Sequence, residues 1–244
     1  DVSNTILKNI NSNLKYANDL QNVTNEFLDN IGQLMRISDD EKARQRSIEL
    51  GMKFFSDSRF NKELITDALE ELLKAEKLMK QDYFVLHHIG LIYMKGSGTV
   101  DTLKAYDYFT NAAKYAEVES DPESVRIYNE LDKSRNYNNK TIKLIAAESF
   151  SWAAFAAYVN GNFSDAVANQ KKTVKYRNEP HDHFLLAKYH VRNNKIAQGV
   201  KSLSKSIEKD NIYATLVFKD LDLINEEKVR KHILKINQNI DEKI

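Results

Sequence analysis

The chain has 244 residues, a formal net charge of +1 and no cysteine. This balance of charge argues against a nucleic-acid or membrane footprint over the whole surface, which needs a strong basic excess. The longest apolar run falls short of the roughly 20 residues that span a membrane. The lack of cysteine excludes disulfides and thiolate metal sites, and we expect a cytoplasmic location, with a bacterial periplasm also open. Because only two prolines and seven glycines interrupt the sequence, we predict an all-α fold.

Residues 1–38 are predicted to form a long N-terminal helix with a heptad-like apolar stripe. The repeating positions are Leu7, Leu14, Gln21, Leu28 and Met35, with Ile10, Ala17, Thr24 and Ile31 three residues later. Such heptads can form coiled coils. Because Gln21 and Thr24 interrupt the stripe, packing within the same chain is the first interpretation, and homo-oligomerisation through this helix is the alternative.

Residues 39–244 are predicted to form a second domain, built from pairs of antiparallel helices. Small residues mark the places where two helices cross closely, such as Gly90 on one predicted helix and Ala105 and Ala112 on the next. The predicted pairs are 40–56 with 62–80, then 83–117, 142–177 and 181–209, followed by a final helical segment at 211–240. Self-similarity at a period of about 34 residues is typical of a solenoid, in which each pair buries its apolar side against the next.

The stretch from Leu86 to Ala113 reads L-x-x-x-G-x-x-Y, then G-x-G, then K-A-x-x-Y-F-x-x-A-A. This pattern resembles the Sel1-like variant of the tetratricopeptide repeat, and the pairs at 142–177 and 181–209 resemble tetratricopeptide repeats. The segment from Val217 to Asp222 is similar to the terminal segment that often closes such arrays. The resemblance implies a right-handed α-α superhelix of about four helical hairpins that binds proteins or peptides on its concave face.

In such repeats the first helix of each hairpin lines the concave face, which gives a set of candidate partner-binding residues. They are Phe84, His87, Leu91, Ser151, Phe155, Tyr158, Phe184, Lys188 and Arg192. Lys188 and Arg192 lie four residues apart, so both can point the same way. Aromatic groups beside two cations would suit a peptide with an apolar anchor and a carboxylate. The alternative is that the aromatic side chains are core between repeats and that the cations are solvated.

Motifs for chemistry are missing from the sequence. His181, His183 and His190 invite a metal hypothesis, but the usual zinc spacings are absent, so we predict no metal site. The sequence carries neither a nucleophile elbow nor H-E-x-x-H, and the glycines at 96–98 lack the spacing of a phosphate loop. We therefore predict that the chain is not an enzyme and takes no cofactor.

The function predicted from the sequence is a scaffold that binds a protein or a peptide. A basic excess runs from Lys171 to Lys209, but it is spread over several helices with little aromatic interleaving, so we predict no nucleic-acid partner, and no membrane partner either. The chain begins at Asp1 without methionine, so we expect one part of a larger protein. Abundant Lys, Asn and Ile indicate a bacterial source. The alternatives are a bacterial peptide-sensing regulatory domain and a homo-oligomerisation module.

Overall fold

The computed structural model describes residues 39–122 and 139–241, and every regular element within those ranges is helical. The all-α prediction is therefore confirmed for the described ranges, whereas the predicted long helix at 1–38 lies outside them. The first eight helices are α1 (Asp39–Asp57), α2 (Leu64–Leu78), α3 (Tyr83–Lys95), α4 (Thr102–Glu119), α5 (Asn139–Val159), α6 (Phe163–Tyr176), α7 (Pro180–Arg192) and α8 (Ile196–Lys209). They pack as neighbouring pairs, α1 with α2, α3 with α4, α5 with α6 and α7 with α8.

Short polar residues set where several of these helices begin. The Asp82 carboxylate accepts hydrogen bonds from the first amides of α3, and Asp101 does the same for α4. Glu179 and Asp182 form a reciprocal capping box at the start of α7, where Pro180 occupies the first turn. These residues satisfy amides that have no partner within the helix, so each start is fixed locally by the sequence.

Glycine allows the close helix crossings that the sequence predicts. A Cβ atom built on Gly90 would lie 2.8 Å from the Phe109 ring of α4, and one on Gly51 would lie 2.8 Å from the Leu72 side chain of α2. Neither contact leaves room for a side chain. The predicted role of Gly90 as a crossing point of α3 and α4 is therefore confirmed.

The first helices of successive pairs lie side by side and form one layer. A hydrogen-bond distance of 2.9 Å separates His87 Nδ1 on α3 from Ser149 Oγ on α5. The rings of Tyr158 on α5 and Tyr189 on α7 have centroids 5.2 Å apart. Because α3, α5 and α7 touch in chain order, the pairs stack as neighbours in an array.

The second helices form another layer in the same way. Tyr106 of α4 donates a 2.9 Å hydrogen bond to Asp165 of α6, and Lys172 of α6 lies 2.8 Å from Glu117 of α4. Two layers of helices stacked pair by pair are the arrangement expected of a helical repeat array. The right-handed superhelical course of that array stays a prediction.

Four further elements close the described chain after α8. They are α9 (Ile212–Leu216), a 3-10 turn (Val217–Lys219), α10 (Leu221–Ile224) and α11 (Glu227–Asp241). Val217, Leu223 and Ile233 from these elements are fully buried and pack with Leu203 of α8. The segment from Val217 to Asp222, which the sequence likens to a terminal closing segment, therefore lies against the last helix pair.

Helix α5 occupies the middle of the array. By length and apolar composition it could cross a membrane, with a mean hydropathy of 1.2 over its most apolar window, half of which is buried inside the protein. It packs against α4 on one side and α6 on the other. Packing against these two helices covers the buried half of that window.

Candidate partner-binding surface

Three of the nine candidate residues lie in the interior. Phe84, His87 and Phe184 are only 5%, 5% and 8% exposed. His87 bonds Ser149 across the junction of α3 and α5, and the Phe184 ring packs at 5.3 Å from Tyr213 of α9. These three side chains hold neighbouring elements together and are not placed to touch a partner. Burial also lowers the pKa of His87 to about 3, so its imidazole is neutral at neutral pH.

The other six candidate residues are half-buried or exposed on the first-helix layer, and an aromatic row on α5 is its most prominent feature. Trp152, Phe155 and Tyr158 follow at intervals of three residues, which places them on one face of the helix. The rings of Trp152 and Phe155 lie 5.9 Å apart edge to face, and those of Phe155 and Tyr158 lie 6.5 Å apart and nearly parallel. Phe155 is 39% exposed. We call these three residues the aromatic face.

Trp152 anchors one end of the aromatic face. Its ring stacks on Phe109 of α4 at 5.8 Å, and its Nε1 donates a 2.9 Å hydrogen bond to Glu148. The Lys95 ammonium of α3 lies 4.0 Å from the centre of the Trp152 ring, a cation–π contact. Partial burial lowers the pKa of Lys95, an effect that the nearby Glu148 opposes. Half-buried Leu91 packs, like Trp152, against a group of buried side chains that contains Phe109.

The opposite end of the aromatic face is occupied by carboxylates of the same chain. Lys188 Nζ lies 2.9 Å from Asp220 and 3.5 Å from Asp222, and an Arg192 guanidinium nitrogen lies 3.4 Å from Asp222. The Tyr158 hydroxyl also donates a hydrogen bond to Asp222. The two cations that the sequence assigns to a partner's carboxylate are thus paired with an internal one. We call the residues 220–222 the acidic turn.

The electrostatics of this end reflect the internal pairing. Burial disfavours the charge on Lys188, but the hydrogen bond and the charge of Asp220 outweigh it and raise the pKa of Lys188 above its ordinary value. Burial and the hydrogen bond to Asp222 raise the pKa of Tyr158, so its hydroxyl stays protonated and acts as a donor. Two cations facing two carboxylates leave this end with no net charge.

A second ionic cluster lies at the start of α7. The Arg177 guanidinium bonds Asp182 through two of its nitrogens, with contacts of 2.6 and 3.0 Å, and a third nitrogen lies 2.6 Å from Glu148 of α5. Asp182 is fully buried. We call Glu148, Arg177 and Asp182 the buried cluster, and it ties α7 to α5 through charge-assisted hydrogen bonds.

The three histidines considered for a metal are not brought together. His183 Nε2 lies 2.7 Å from the Asn178 amide oxygen, whereas His190 is buried and His181 is exposed. Burial and the charge of Lys171 lower the pKa of His190 to about 4. Across residues 39–122 and 139–241, no three His, Cys, Asp or Glu side chains are grouped to hold a metal ion.

Sequence reasoning missed four residues that define the surface. Trp152 could have been found, because it lies one helical turn before Phe155 in the same stripe. Lys95 touches it from another helix, and Asp220 meets Lys188 across 32 residues of sequence. The contacts of Lys95, Asp220 and Asp222 join elements that are far apart in the sequence, so no pattern around these residues predicts them.

Comparisons with known proteins add little to this description. No protein-family model matches the chain, and no curated protein sequence matches it. Among solved structures, the chain is similar to a crystal structure of MamA protein, with 13% sequence identity and a TM-score of 0.32, over 71% of this chain and 95% of that one. A likeness this weak assigns neither a fold nor a function. The description of the fold and the proposal about function therefore rest on the contacts within the chain itself.

Proposed function

We propose that the chain is a helical scaffold that holds a peptide segment of a partner protein against its aromatic face. The observation that carries the proposal is Phe155, which is 39% exposed although the surrounding α5 residues Ala153, Ala154, Ala156 and Ala157 are buried. An aromatic side chain held at the surface beside two other rings is a typical binding anchor. The right-handed superhelix, with the first helices on its concave side, is part of this proposal.

The size of the exposed apolar surface favours a short peptide over a second copy of the chain. Phe155 and Val159 are 39% and 48% exposed. Since a whole aromatic side chain presents about 150–250 Å², the two together expose on the order of 200 Å². A standard interface buries roughly 800 Å² on each partner. The exposed area of Phe155 and its neighbour Val159 is therefore too small for a stable homodimer on its own and suits a few residues of a peptide.

The aromatic face is also rigid, which reduces the entropic cost of binding. Trp152 is fixed by Phe109 and Glu148, and the Tyr158 ring is fixed between the rings of Phe163 and Tyr189. Phe155 packs between the rings of Trp152 and Tyr158. Side chains already held in one geometry lose little freedom when a ligand arrives, so more of the contact energy remains as affinity.

Affinity capture from lysate of the source cell tests the proposal. The tagged wild-type chain is compared with Phe155→Glu and with Phe60→Glu, because Phe60 is 94% exposed in the turn between α1 and α2, away from the aromatic face. We expect a partner that wild type and Phe60→Glu retain and that Phe155→Glu loses. Equal retention by all three proteins would contradict the proposal.

Light scattering on the same three proteins separates a partner from a second copy. The proposal expects the same molar mass for wild type and Phe155→Glu. A wild-type dimer that Phe155→Glu converts to a monomer would assign the aromatic face to self-association and would overturn the peptide proposal.

A further inference from the structure

Three donors from the helical array converge on a single carboxylate. Tyr158 of α5, together with Lys188 and Arg192 of α7, contacts Asp222, which comes from α10. A hydroxyl, an ammonium and a guanidinium directed at one point form a carboxylate receptor. The array supplies all three donors, and the acidic turn supplies only the acceptor.

Aromatic rings support both cations of this receptor. The Lys188 ammonium lies 5.1 Å from the centre of the Tyr158 ring, and the Arg192 guanidinium lies 4.8 Å from the centre of the Phe163 ring. These cation–π contacts hold the cations in place independently of Asp222. The receptor would therefore keep its shape when the internal carboxylate leaves.

The Asp222 side chain can leave without unfolding the turn. Val217 and Leu223, on either side of the acidic turn, are fully buried and anchor it, whereas Leu221 is 75% exposed. Asp220 accepts the first amides of α10 and so fixes that helix start. Rotation of the Asp222 side chain toward solvent breaks none of these contacts.

We propose that Asp222 is an internal occupant of this carboxylate receptor, and that the partner is an acidic peptide that competes with it. The inference depends on the proposed function, because the peptide must also contact the aromatic face. A tethered carboxylate acts at an effective concentration of about millimolar or above. An external carboxylate alone is outcompeted, so the peptide needs an apolar group on Phe155 as a second anchor.

The geometry sets the spacing of the two anchors on the peptide. The Phe155 and Tyr158 ring centroids lie 6.5 Å apart, and the receptor lies beyond the Tyr158 hydroxyl. An extended peptide advances about 3.3 Å per residue. The matching ligand therefore carries an aromatic or aliphatic residue and an acidic residue two or three positions apart.

A library of random peptides displayed on phage tests the inference. It is panned separately on wild type, on Asp222→Asn and on Glu208→Gln, which removes a carboxylate from an exposed position of α8 as the matched control. We expect peptides with the two-anchor spacing to be enriched most strongly on Asp222→Asn. Equal enrichment of acidic residues on all three proteins would overturn the inference.

Fluorescence anisotropy with the most enriched synthetic peptide gives the affinity change. Removing an occupant that fills the receptor for nine-tenths of the time or more tightens the apparent Kd by about tenfold or more. We expect that gain for Asp222→Asn over wild type, and none for Glu208→Gln. A Kd unchanged by Asp222→Asn would show that Asp222 does not compete.

Two further variants separate the failure of the inference from the failure of the proposed function. If enriched peptides bind and Phe155→Ala abolishes their binding, but acidic residues play no part, then the function stands and the inference fails. If no enriched peptide depends on Phe155, both fail. Circular dichroism shows whether Asp222→Asn folds. If it does not, the peptides enriched on Arg192→Gln are compared with those enriched on wild type. The inference expects Arg192→Gln to lose selectivity for acidic peptides.

Discussion

The two ends of α7 use similar ionic chemistry for different purposes. At its start, Arg177 is 10% exposed and Asp182 is fully buried. At its end, Arg192 is 47% exposed and Asp222 is 14% exposed. We call Tyr158, Lys188, Arg192, Asp220 and Asp222 the surface cluster, in contrast to the buried cluster of Glu148, Arg177 and Asp182.

This difference in burial separates a structural contact from an exchangeable one. A charge that loses its partner inside the protein cannot be rehydrated, so its removal is costly. A charge at the surface regains water when its partner leaves, so the pair contributes little net stability and can be exchanged for another. Burial, and not the identity of the charged residues, therefore determines which cluster can serve binding.

The largest expected effect is on the buried cluster. Arg177→Gln leaves Asp182 and Glu148 without their shared cation, and we expect the free energy of unfolding to fall by about 3–5 kcal/mol. Urea denaturation followed by circular dichroism measures the loss. Lys175→Gln, at an exposed position in the last turn of α6 two residues before Arg177, is the control. A loss no greater than that of the control would remove the distinction between the two clusters.

The buried side chain of His87 makes the stability of the protein depend on pH. Burial lowers the pKa of His87 to about 3 in the folded protein, whereas the unfolded chain has the ordinary value of about 6.5. The unfolded chain therefore binds more protons below pH 6.5, and stability that is present above that pH is lost as the pH falls. We expect His87 to account for a loss of about 2 kcal/mol between pH 7.5 and pH 5.

Urea midpoints at the two pH values check this prediction, with His87→Gln as the comparison. The variant removes the titrating imidazole, so its stability should depend less on pH than that of wild type. The same pH dependence in both proteins would show that His87 is not held neutral by its surroundings.

Lys188 is expected to have an intermediate effect because it is 22% exposed and contacts both carboxylates of the acidic turn. We expect Lys188→Gln to lower the free energy of unfolding by about 1 kcal/mol, between the values for exposed and buried pairs. Urea denaturation measures it beside Arg177→Gln. A loss as large as that of Arg177→Gln would make the surface cluster structural as well.

Arg192 gives the smallest expected change in stability. Its side chain is 47% exposed and lies 3.4 Å from Asp222. Surface substitutions of this kind move stability by less than about 0.5 kcal/mol. We therefore expect Arg192→Gln to have the same melting temperature as wild type, and calorimetry measures both. A clear fall in Tm would argue against an exchangeable carboxylate at this position.

The helix pairs could be predicted from the sequence because their signals are local. The Asp101 side chain caps α4 within three residues, and Gly161 turns the chain between α5 and α6, whereas Gly90 marks a crossing with the next helix along the chain. The resemblance to helical repeats pointed to the first helices as the ones that carry the candidate residues, and the 3.6-residue period gave the positions on each helix. The period could not separate the surface stripe from the stripe between neighbouring helices, so buried Phe84 was grouped with half-exposed Leu91.

The pairing of Lys188 and Arg192 with carboxylates of the same chain could not be predicted, and the reason is different. Lys188 and Arg192 do share a face of α7, as their spacing indicates. Their carboxylate partners come from a segment that folds back some 30 residues later, and Lys188 and Asp220 are 32 residues apart. A contact of that range depends on how the C-terminal helices pack, which no pattern around Lys188 records.

Trp152 offers the most direct test of the central claim that the aromatic face is the binding surface. It is the single tryptophan of the chain, so its fluorescence reports on this surface alone. The measurement is acrylamide quenching of Trp152 in the free protein and in complex with its captured partner or an enriched peptide. We predict that binding reduces the quenching constant, and that Phe155→Ala abolishes the reduction at the same ligand concentration. A complex that forms while Trp152 stays as accessible as before would place the binding surface elsewhere and contradict the account.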